Sequence, residues 1–430
     1  MNKKTIIALI IIIILVVFTA IYYFFIQKRG PANETTGGNA TSTEEFPIGG
    51  GRPVGGGEQT GSGSGTNNSS STDETPGFNN QLDSRFSLVT KEPVAGVVIL
   101  GKKASSTTWY IERNTGNLYR LKPGGSPERI SNTTIPKIAQ FFGVENKAGA
   151  QLIIRYLKNN KIQNYLANVK IATSTSGESF INPDGQSVPG ELTGSFLPST
   201  ANEFAASPDR NSLAYLDRNN NQTRLVVTDW GMKKPGTIMT SPLLELKLNW
   251  LATSTILLST KPSGTVPGYA YNFDTKTGKL TRLINNVPGL SILPSPNGKK
   301  LLYSGTGSTG PFLALYDVKG QKVNRLSLNT FADKCTWSED SVMIYCGVPA
   351  QTPAGIYPDQ WLSGEITLSD RLWQIENATT TTTKMVFNPA LQNVKDLDVQ
   401  QIAYSQVDDK LYILNKSDLN LWSLDLKLGF

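Results

Sequence analysis

Short apolar runs recur along this chain at a spacing typical of a repeated β-sheet unit. Seven of them begin at Thr108, Gln151, Ser212, Thr255, Lys300, Ser341 and Gln401, so their starts are 43, 61, 43, 45, 41 and 60 residues apart. Four intervals match the roughly 40–45 residues of a four-stranded propeller blade, and each longer interval contains a loop insertion. The pattern predicts an all-β propeller of seven four-stranded blades. A pair of β-sandwiches and a six- or eight-bladed ring are the alternatives.

Turn residues separate the predicted strands within each blade. In the blade around Ser212, a Pro-Asp turn precedes the second strand and the Asn219–Asn221 run follows it. Proline fixes φ and Asp or Asn bonds the local backbone, so both favour tight turns. In the last blade we expect strands at Asp396–Val399, Ile402–Gln406, Leu411–Asn415 and Leu421–Leu426. A further strand within Arg85–Thr90 is expected to close the ring.

Three blades share a motif at the turn between strands. It reads SPDRNSLAY at Ser207–Tyr215, SPNGKKLLY at Ser295–Tyr303 and WSEDSVMIY at Trp337–Tyr345. These runs resemble the Trp-Ser-Pro-Asp-Gly-Lys-x-Ile-Ala-Tyr repeat of TolB-type β-propellers, although Arg210 replaces the glycine and Glu339 the proline. The resemblance implies the fold for about residues 85–430. It also implies a binding platform in the cell envelope or a gating domain of a peptidase, so function stays open.

The first 81 residues differ from the rest. Thr5–Ile26 is a run of 22 residues without a charge, which at about 1.5 Å per residue predicts a single transmembrane helix embedded in membrane lipid. Residues 1–30 are thus expected to form an anchor in the cell membrane, with the N-terminus cytoplasmic and the remainder outside. Residues 31–81 are rich in Gly, Ser, Thr and Asn, which predicts a disordered linker to a propeller at 82–430.

Composition excludes several kinds of chemistry. The chain has no histidine, so a Ser-His-Asp triad and imidazole metal sites are ruled out. Residues 1–81 hold 5 of the 41 basic and 6 of the 34 acidic residues, which leaves 36 basic and 28 acidic residues in the propeller region. That surplus favours anionic neighbours such as lipid headgroups or anionic glycan polymers of the wall, and a mildly basic solvated surface without a specific partner is the alternative. No basic run with interleaved aromatics indicates a nucleic-acid partner.

The only two cysteines, Cys335 and Cys346, flank one predicted turn. If their strands pair, the two thiols can form a disulfide outside the cytoplasm; two buried thiols are the alternative. Two insertions interrupt the repeat, at Ala172–Phe196 and Gly347–Leu362. Loops on a rigid ring are where partners bind, so Tyr357 and Trp361 in the second insertion are the predicted contact residues. Alternatively, these aromatics cap a blade or plug the ring.

The remaining acidic residues show no catalytic or metal-binding spacing. Prominent ones are Asp184, Asp209, Asp217, Asp274, Asp317, Asp359, Asp370, Asp408 and Asp409, and each is interpreted as a turn residue. We therefore predict no catalytic residue, no metal and no cofactor. The leading hypothesis is a membrane-anchored, extracytoplasmic scaffold that binds a protein partner in the envelope. A polysaccharide-binding module and a carboxylate-dependent glycan-active enzyme are the alternatives.

Overall fold

The chain forms a seven-bladed β-propeller. A computed structural model describes residues 84–101, 105–172, 179–219, 221–376, 382–392, 394 and 397–427. Within them, seven four-stranded antiparallel sheets follow one another along the chain. The predicted seven-bladed, four-stranded architecture is thereby confirmed. The predicted anchor and linker lie outside the described residues, and in the described part no helix is both long and apolar enough to cross a bilayer.

Each blade takes four strands in chain order, except the last. Blades 1 to 3 consist of Val94–Leu100, Thr107–Glu112, Leu118–Leu121 and Pro127–Arg129; of Ile138–Asn146, Gly149–Lys158, Lys161–Ile171 and Gly190–Leu197; and of Ala201–Ala206, Ser212–Asn219, Gln222–Asp229 and Gly236–Ser241. Blades 4 to 6 consist of Leu246–Ala252, Thr255–Thr260, Pro267–Asp274 and Leu280–Pro288; of Ser291–Pro294, Lys300–Gly307, Gly310–Asp317 and Lys322–Arg325; and of Cys335–Trp337, Met343–Pro349, Asp370–Glu376 and Thr382–Phe387.

Blade 7 is closed by the start of the propeller. Its strands are Val399–Ser405, Lys410–Asn415, Leu421–Asp425 and, outermost, Phe86–Leu88. Phe86 lies opposite Leu424, as expected from the predicted closing strand. The Gln401 side chain also bonds both backbone groups of Val97, at 3.2 and 2.8 Å, which joins the first strands of blades 7 and 1.

The strand prediction for blade 7 was wrong by one position. The predicted second, third and fourth strands at Ile402, Leu411 and Leu421 are the first, second and third strands of the blade, and its fourth strand is Phe86–Leu88. Asp396 itself lies outside the described residues. The first strand of blade 7 has an apolar run like that of a second strand, and turn spacing alone does not tell a first strand from a second one.

The two predicted insertions also need new bounds. Ala172–Phe196 includes most of the outermost strand of blade 2, preceded by a small hairpin of Phe180–Ile181 and Ser187–Val188. Gly347–Leu362 begins inside the second strand of blade 6, and the loop itself runs over residues 350–369. That loop contains a short helix, α1, at Asp359–Ser363.

The core lies between neighbouring blades. Separate clusters of buried apolar side chains fill each of the seven blade-to-blade interfaces within the described residues. In blade 4, Ile256 and Leu258 pack toward blade 3, whereas Leu257 between them packs toward blade 5. Because both faces of a second strand are buried, it reads as an unbroken apolar run rather than as an alternation.

Candidate functional site

The ring has two faces that differ in structure. We call the face where the first strands begin and the second strands end the loop face, because the loop of residues 350–369 lies there. The opposite face carries the turns between first and second strands, and we call it the turn face. The predicted contact residues Tyr357 and Trp361 belong to the loop face. The shared sequence motifs belong to the turn face.

Tyr357 and Trp361 are not surface residues. Their exposed fractions are 1% and 2%, and they form a cluster with Phe331 and Leu368. The Trp361 ring stacks on Phe331 with centroids 5.3 Å apart and planes 10° from parallel. The expectation that these two aromatics are exposed for a partner was wrong, because the loop folds inward. Its exposed apolar residues are instead Ile356 and Leu362.

The loop reaches several blades besides its own. The Tyr357 carbonyl accepts a hydrogen bond of 2.7 Å from Thr306 Oγ1 in blade 5. Asp359 Oδ2 accepts one of 2.6 Å from the backbone N–H of Gly264 in blade 4. The Trp361 carbonyl accepts one from Lys416 Nζ, which follows the second strand of blade 7. Contacts to blades 4, 5 and 7 place the loop across the loop face, in agreement with the alternative that it plugs the ring.

A buried charge cluster lies beneath the loop. Lys334 Nζ is 2.6 Å from Asp370 Oδ2 and 2.5 Å from Asp398 Oδ1, and all three side chains have no exposed surface. Asp398 also accepts hydrogen bonds from Trp361 Nε1 at 2.9 Å and from the Leu368 N–H at 3.0 Å. Burial raises the pKa of Asp370 above its ordinary value, against the opposing effect of the Lys334 ammonium. Such a cluster holds the loop in one position, whether or not it contributes net free energy to folding.

Sequence reasoning missed this cluster. Asp370 was interpreted as a turn residue, but it begins the third strand of blade 6 and is buried. Lys334 and Asp398 are 64 residues apart in the chain, and neither belongs to a motif. Only the three-dimensional closure of blades 6 and 7 brings them together.

The two cysteines lie beside this cluster. Cys335 and Cys346 face each other directly on the first two strands of blade 6, with Cα atoms 4.1 Å apart, and a disulfide joins them. Both are buried in the interface between blades 5 and 6. Their position inside the core makes them structural rather than reactive.

The shared turn motif makes the same side-chain hydrogen bonds in all three blades. In blade 3, Ser207 Oγ donates to Asp209 Oδ1 at 2.5 Å and accepts from the Ser212 N–H at 2.9 Å. The same bonds recur from Ser295 and Ser338 in blades 5 and 6. The serine hydroxyl therefore closes the turn that follows the first strand. These bonds explain why the serine stands two residues before the Asp or Asn and five residues before the second strand.

The fourth position of this turn has a left-handed backbone. Its φ is 63° at Arg210, 66° at Gly298 and 65° at Ser341. Glycine adopts this region without strain, whereas other residues incur a cost. Ser341 makes a compensating contact, because its hydroxyl accepts a hydrogen bond of 3.2 Å from the Asn297 N–H of the neighbouring turn.

Arg210 lies where three cavities of the turn face adjoin. They have volumes of about 380, 320 and 340 Å³, and Arg210 lines all three. One guanidinium N–H, on Nη1, donates to the Gly101 carbonyl at 2.9 Å. Glu145, Asp209 and Glu339 line the two smaller cavities with this arginine, but among the described residues none of them forms an ion pair with it. A guanidinium has five N–H donors, so it retains donors for a ligand.

The largest of these three cavities opens between the first strands of blades 2 to 5. Its lining residues include Phe142, Phe204, Trp250, Leu293, Pro294 and Pro296, and polar atoms form about half of its exposed wall. Arg210 is its one charged residue. Ser207 and Ser295 also line it, but their hydroxyls are engaged in the turns. A concave surface with one cation and several aromatic and proline side chains suits ligand binding.

The described residues show no catalytic arrangement of metal ligands. No group of three or more His, Cys, Asp or Glu side chains in them could hold a metal ion. The arrangement around Arg210 offers hydrogen-bond donors and apolar surface, which are means of binding.

The chain was compared with known proteins. It matches no protein-family model and no curated protein. Similar solved structures include an oligogalacturonate lyase in complex with manganese, at 12% identity and TM-score 0.50 over 74% of this chain and 85% of that one. They also include TolB from Acinetobacter baumannii, at 14% identity and TM-score 0.37 over 67% of this chain and 80% of that one. A third is the Pan2 WD40 domain from Neurospora crassa, at 11% identity and TM-score 0.48 over 81% of this chain and 98% of that one. At these identities the likeness concerns the fold alone, and the seven four-stranded sheets agree with the fold that the TolB-type motifs implied.

Proposed function

We propose that this protein is a membrane-anchored binding module of the cell envelope, and that its propeller holds a protein partner at the turn face. The observation that carries the proposal is Arg210. It occupies a left-handed position usually given to glycine and borders three adjoining cavities, and in the part of the chain that the structure describes it forms no ion pair with a carboxylate. Backbone strain of this kind concentrates at functional sites.

The loop face supports the same assignment by elimination. The aromatics of the 350–369 loop are buried, and its two carboxylates, Asp359 and Glu365, accept hydrogen bonds within the protein. A rigid plug on one face leaves the opposite mouth of the ring as the concave surface that can receive a ligand. The membrane location and the absence of catalysis remain predictions from the sequence.

The test is affinity capture from detergent-solubilised membranes with the full chain as bait. Arg210→Gly removes the guanidinium and restores the motif residue, so the fold is expected to survive. Leu362→Ala, on the loop face, is the matched control. A partner captured by the wild type and by Leu362→Ala, but lost with Arg210→Gly, supports the proposal. A partner lost only with Leu362→Ala contradicts it.

A polysaccharide ligand is the second candidate. The aromatic rings of Phe142, Phe204 and Trp250 in one cavity wall favour it, because such rings stack on sugar faces. A glycan array probed with the full chain and with Arg210→Gly tests this alternative.

A further inference from the structure

We infer that the side chains of Lys334 and Asp398 condense into an amide, which links blades 6 and 7 covalently beneath the loop of residues 350–369. Asp370 is the third member of this modification site and carries a proton between the two reacting groups. The inference concerns the loop face and is independent of the binding function proposed for the turn face.

The amine and the carboxyl are held against each other away from solvent. Lys334 Nζ lies 2.5 Å from Asp398 Oδ1, and neither side chain has any exposed surface. The two residues directly precede the first strands of neighbouring blades, so the packed ring fixes their separation. Reacting groups that a fold holds in contact combine far faster than the same groups free in solution.

Burial also favours the neutral product. A buried ammonium and a buried carboxylate lose their hydration, and their mutual attraction does not always offset that cost. Condensation replaces the two charges with one neutral amide and releases a water molecule. Water opposes this reaction in solution by mass action, whereas a fully buried site restricts the access of water.

The Asp398 carboxyl has hydrogen-bond donors on both oxygens. Trp361 Nε1 donates to Oδ1 at 2.9 Å and to Oδ2 at 3.2 Å, and the Leu368 N–H donates to Oδ2 at 3.0 Å. Attack on Cγ places negative charge on Oδ2, and donors that are already in position stabilise such charge. Asp398 is therefore the carboxyl that we assign as the acceptor of the amine.

Asp370 lacks this arrangement of donors. Its Oδ2 accepts a hydrogen bond of 2.7 Å from the Val399 N–H, but its Oδ1 bonds no group within the described residues. Asp370 Oδ2 also lies 2.6 Å from Lys334 Nζ, and burial raises the pKa of this carboxyl above its ordinary value. A carboxyl with a raised pKa takes up a proton from the amine and returns it during the reaction.

The reaction balances without an oxidant, a reductant or a further reactant. The bond from Lys334 Nζ to Asp398 Cγ forms, the bond from Cγ to Oδ1 breaks, and Oδ1 leaves as water. Two of the three ammonium protons end on that water, one directly and the other by way of Asp370. The amide nitrogen keeps the third proton, and Asp370 keeps its carboxyl in the product.

The amide would close a much longer loop than the disulfide does. Lys334 and Asp398 are 64 residues apart in the chain, whereas the two cysteines are 11 apart. A cross-link that closes a longer loop removes more conformational freedom from the unfolded chain. We therefore expect the amide to stabilise the two blades that hold the loop.

Tryptic peptide mapping of the reduced and alkylated full chain tests the inference by mass spectrometry. An amide at Lys334 blocks cleavage there, so residues 326–371 stay together and are joined to residues 396–410. We expect this branched peptide at a mass one water molecule below the sum of its two parts. Fragmentation of the branched peptide should assign the link to Lys334 and Asp398.

Two variants and an internal control sharpen the test. Lys334→Met removes the amine and Asp370→Asn removes the proton carrier, so both should lack the branched peptide. The exposed pair of Lys247 and Glu203, 2.8 Å apart, should stay unlinked in the same digest. Circular dichroism checks the fold of each variant, and the wild-type digest decides the presence of the link even if a variant does not fold.

Three results overturn the inference. Recovery of residues 326–334, 335–371 and 396–410 as separate linear peptides would show that the ion pair does not react. A peptide of residues 326–371 that is lighter by one water molecule, without residues 396–410, would place the bond at Asp370. A branched peptide that persists in folded Asp370→Asn would show that Asp370 carries no proton in the reaction.

Discussion

The two faces of the propeller use charged residues in opposite ways. On the loop face, Lys334 is enclosed by Asp370 and Asp398 and has no contact with solvent. On the turn face, Arg210 is partly exposed, and within the described residues its guanidinium bonds only the Gly101 carbonyl. A cation with two buried anions fixes a structure, whereas a cation without an anion leaves capacity for a ligand. The predictions below test this contrast.

The largest effect is expected from Asp398→Ala. It leaves the Lys334 ammonium with one carboxylate and removes the hydrogen bonds to Trp361 and Leu368. Breaking a buried pair costs about 3–5 kcal/mol. Urea unfolding of the full chain, followed by circular dichroism, measures the loss. Glu203→Ala, which breaks the exposed pair with Lys247, should cost less than about 1 kcal/mol. Equal losses in the two variants would contradict the structural role of the cluster.

Removal of the disulfide should have the next largest effect. The two cysteines are 11 positions apart, and closing so short a loop stabilises a fold by about 2–3 kcal/mol through the unfolded chain. The double variant Cys335→Ala/Cys346→Ala is expected to unfold at correspondingly lower urea. Thiol titration of the denatured wild type should find no free thiol. Two titratable thiols would show that the bridge does not form in the cell.

Gly298→Ala is expected to destabilise more than any change at Arg210. A Cβ at Gly298 would approach the Leu251 carbonyl oxygen to 2.5 Å, and the left-handed backbone adds about 1–2 kcal/mol. The same turn in blade 3 already accommodates a side chain. Thermal unfolding of Gly298→Ala and of Arg210→Ala compares the two turns directly. A harmless Gly298→Ala would mean that the glycine has no structural necessity.

Sequence reasoning found the turns because their information is local. Ser207, Asp209 and Ser212 bond one another within five residues, so spacing alone reveals the turn. The substitution of Arg210 for glycine was visible in the sequence, yet its cavities depend on first strands from other blades. The buried aromatics were interpreted as exposed, since nothing in the sequence shows that the loop folds over blades 4, 5 and 7.

A pH effect should distinguish the buried cluster further. Because burial raises the pKa of Asp370, the folded protein retains this proton at a pH where the unfolded chain has released it. The contribution of this pKa shift to the free energy of unfolding is fully present below about pH 4, the pKa of Asp370 in the unfolded chain. It is lost as the pH rises through the higher pKa of Asp370 in the folded protein. Asp370→Asn should remove this part of the slope. An unchanged pH profile of unfolding would argue against a shifted Asp370.

The smallest effect on stability belongs to Arg210→Gly. Relief of the left-handed strain offsets the lost hydrogen bond to Gly101, so the change should stay within about 1 kcal/mol. Arg210→Ala keeps the strain and should be less stable than Arg210→Gly. Their midpoints in urea give the comparison, and the reverse order would show that the backbone at this position is relaxed.

Hydrogen exchange of the full chain, with and without the partner captured by the wild type, tests the contrast of the two faces most directly. We predict slower exchange in the turn-face segments that line the largest of the three cavities, 204–210, 248–250 and 293–296, with no change in 350–369. Protection confined to 350–369 would place the binding site on the loop face and contradict the account.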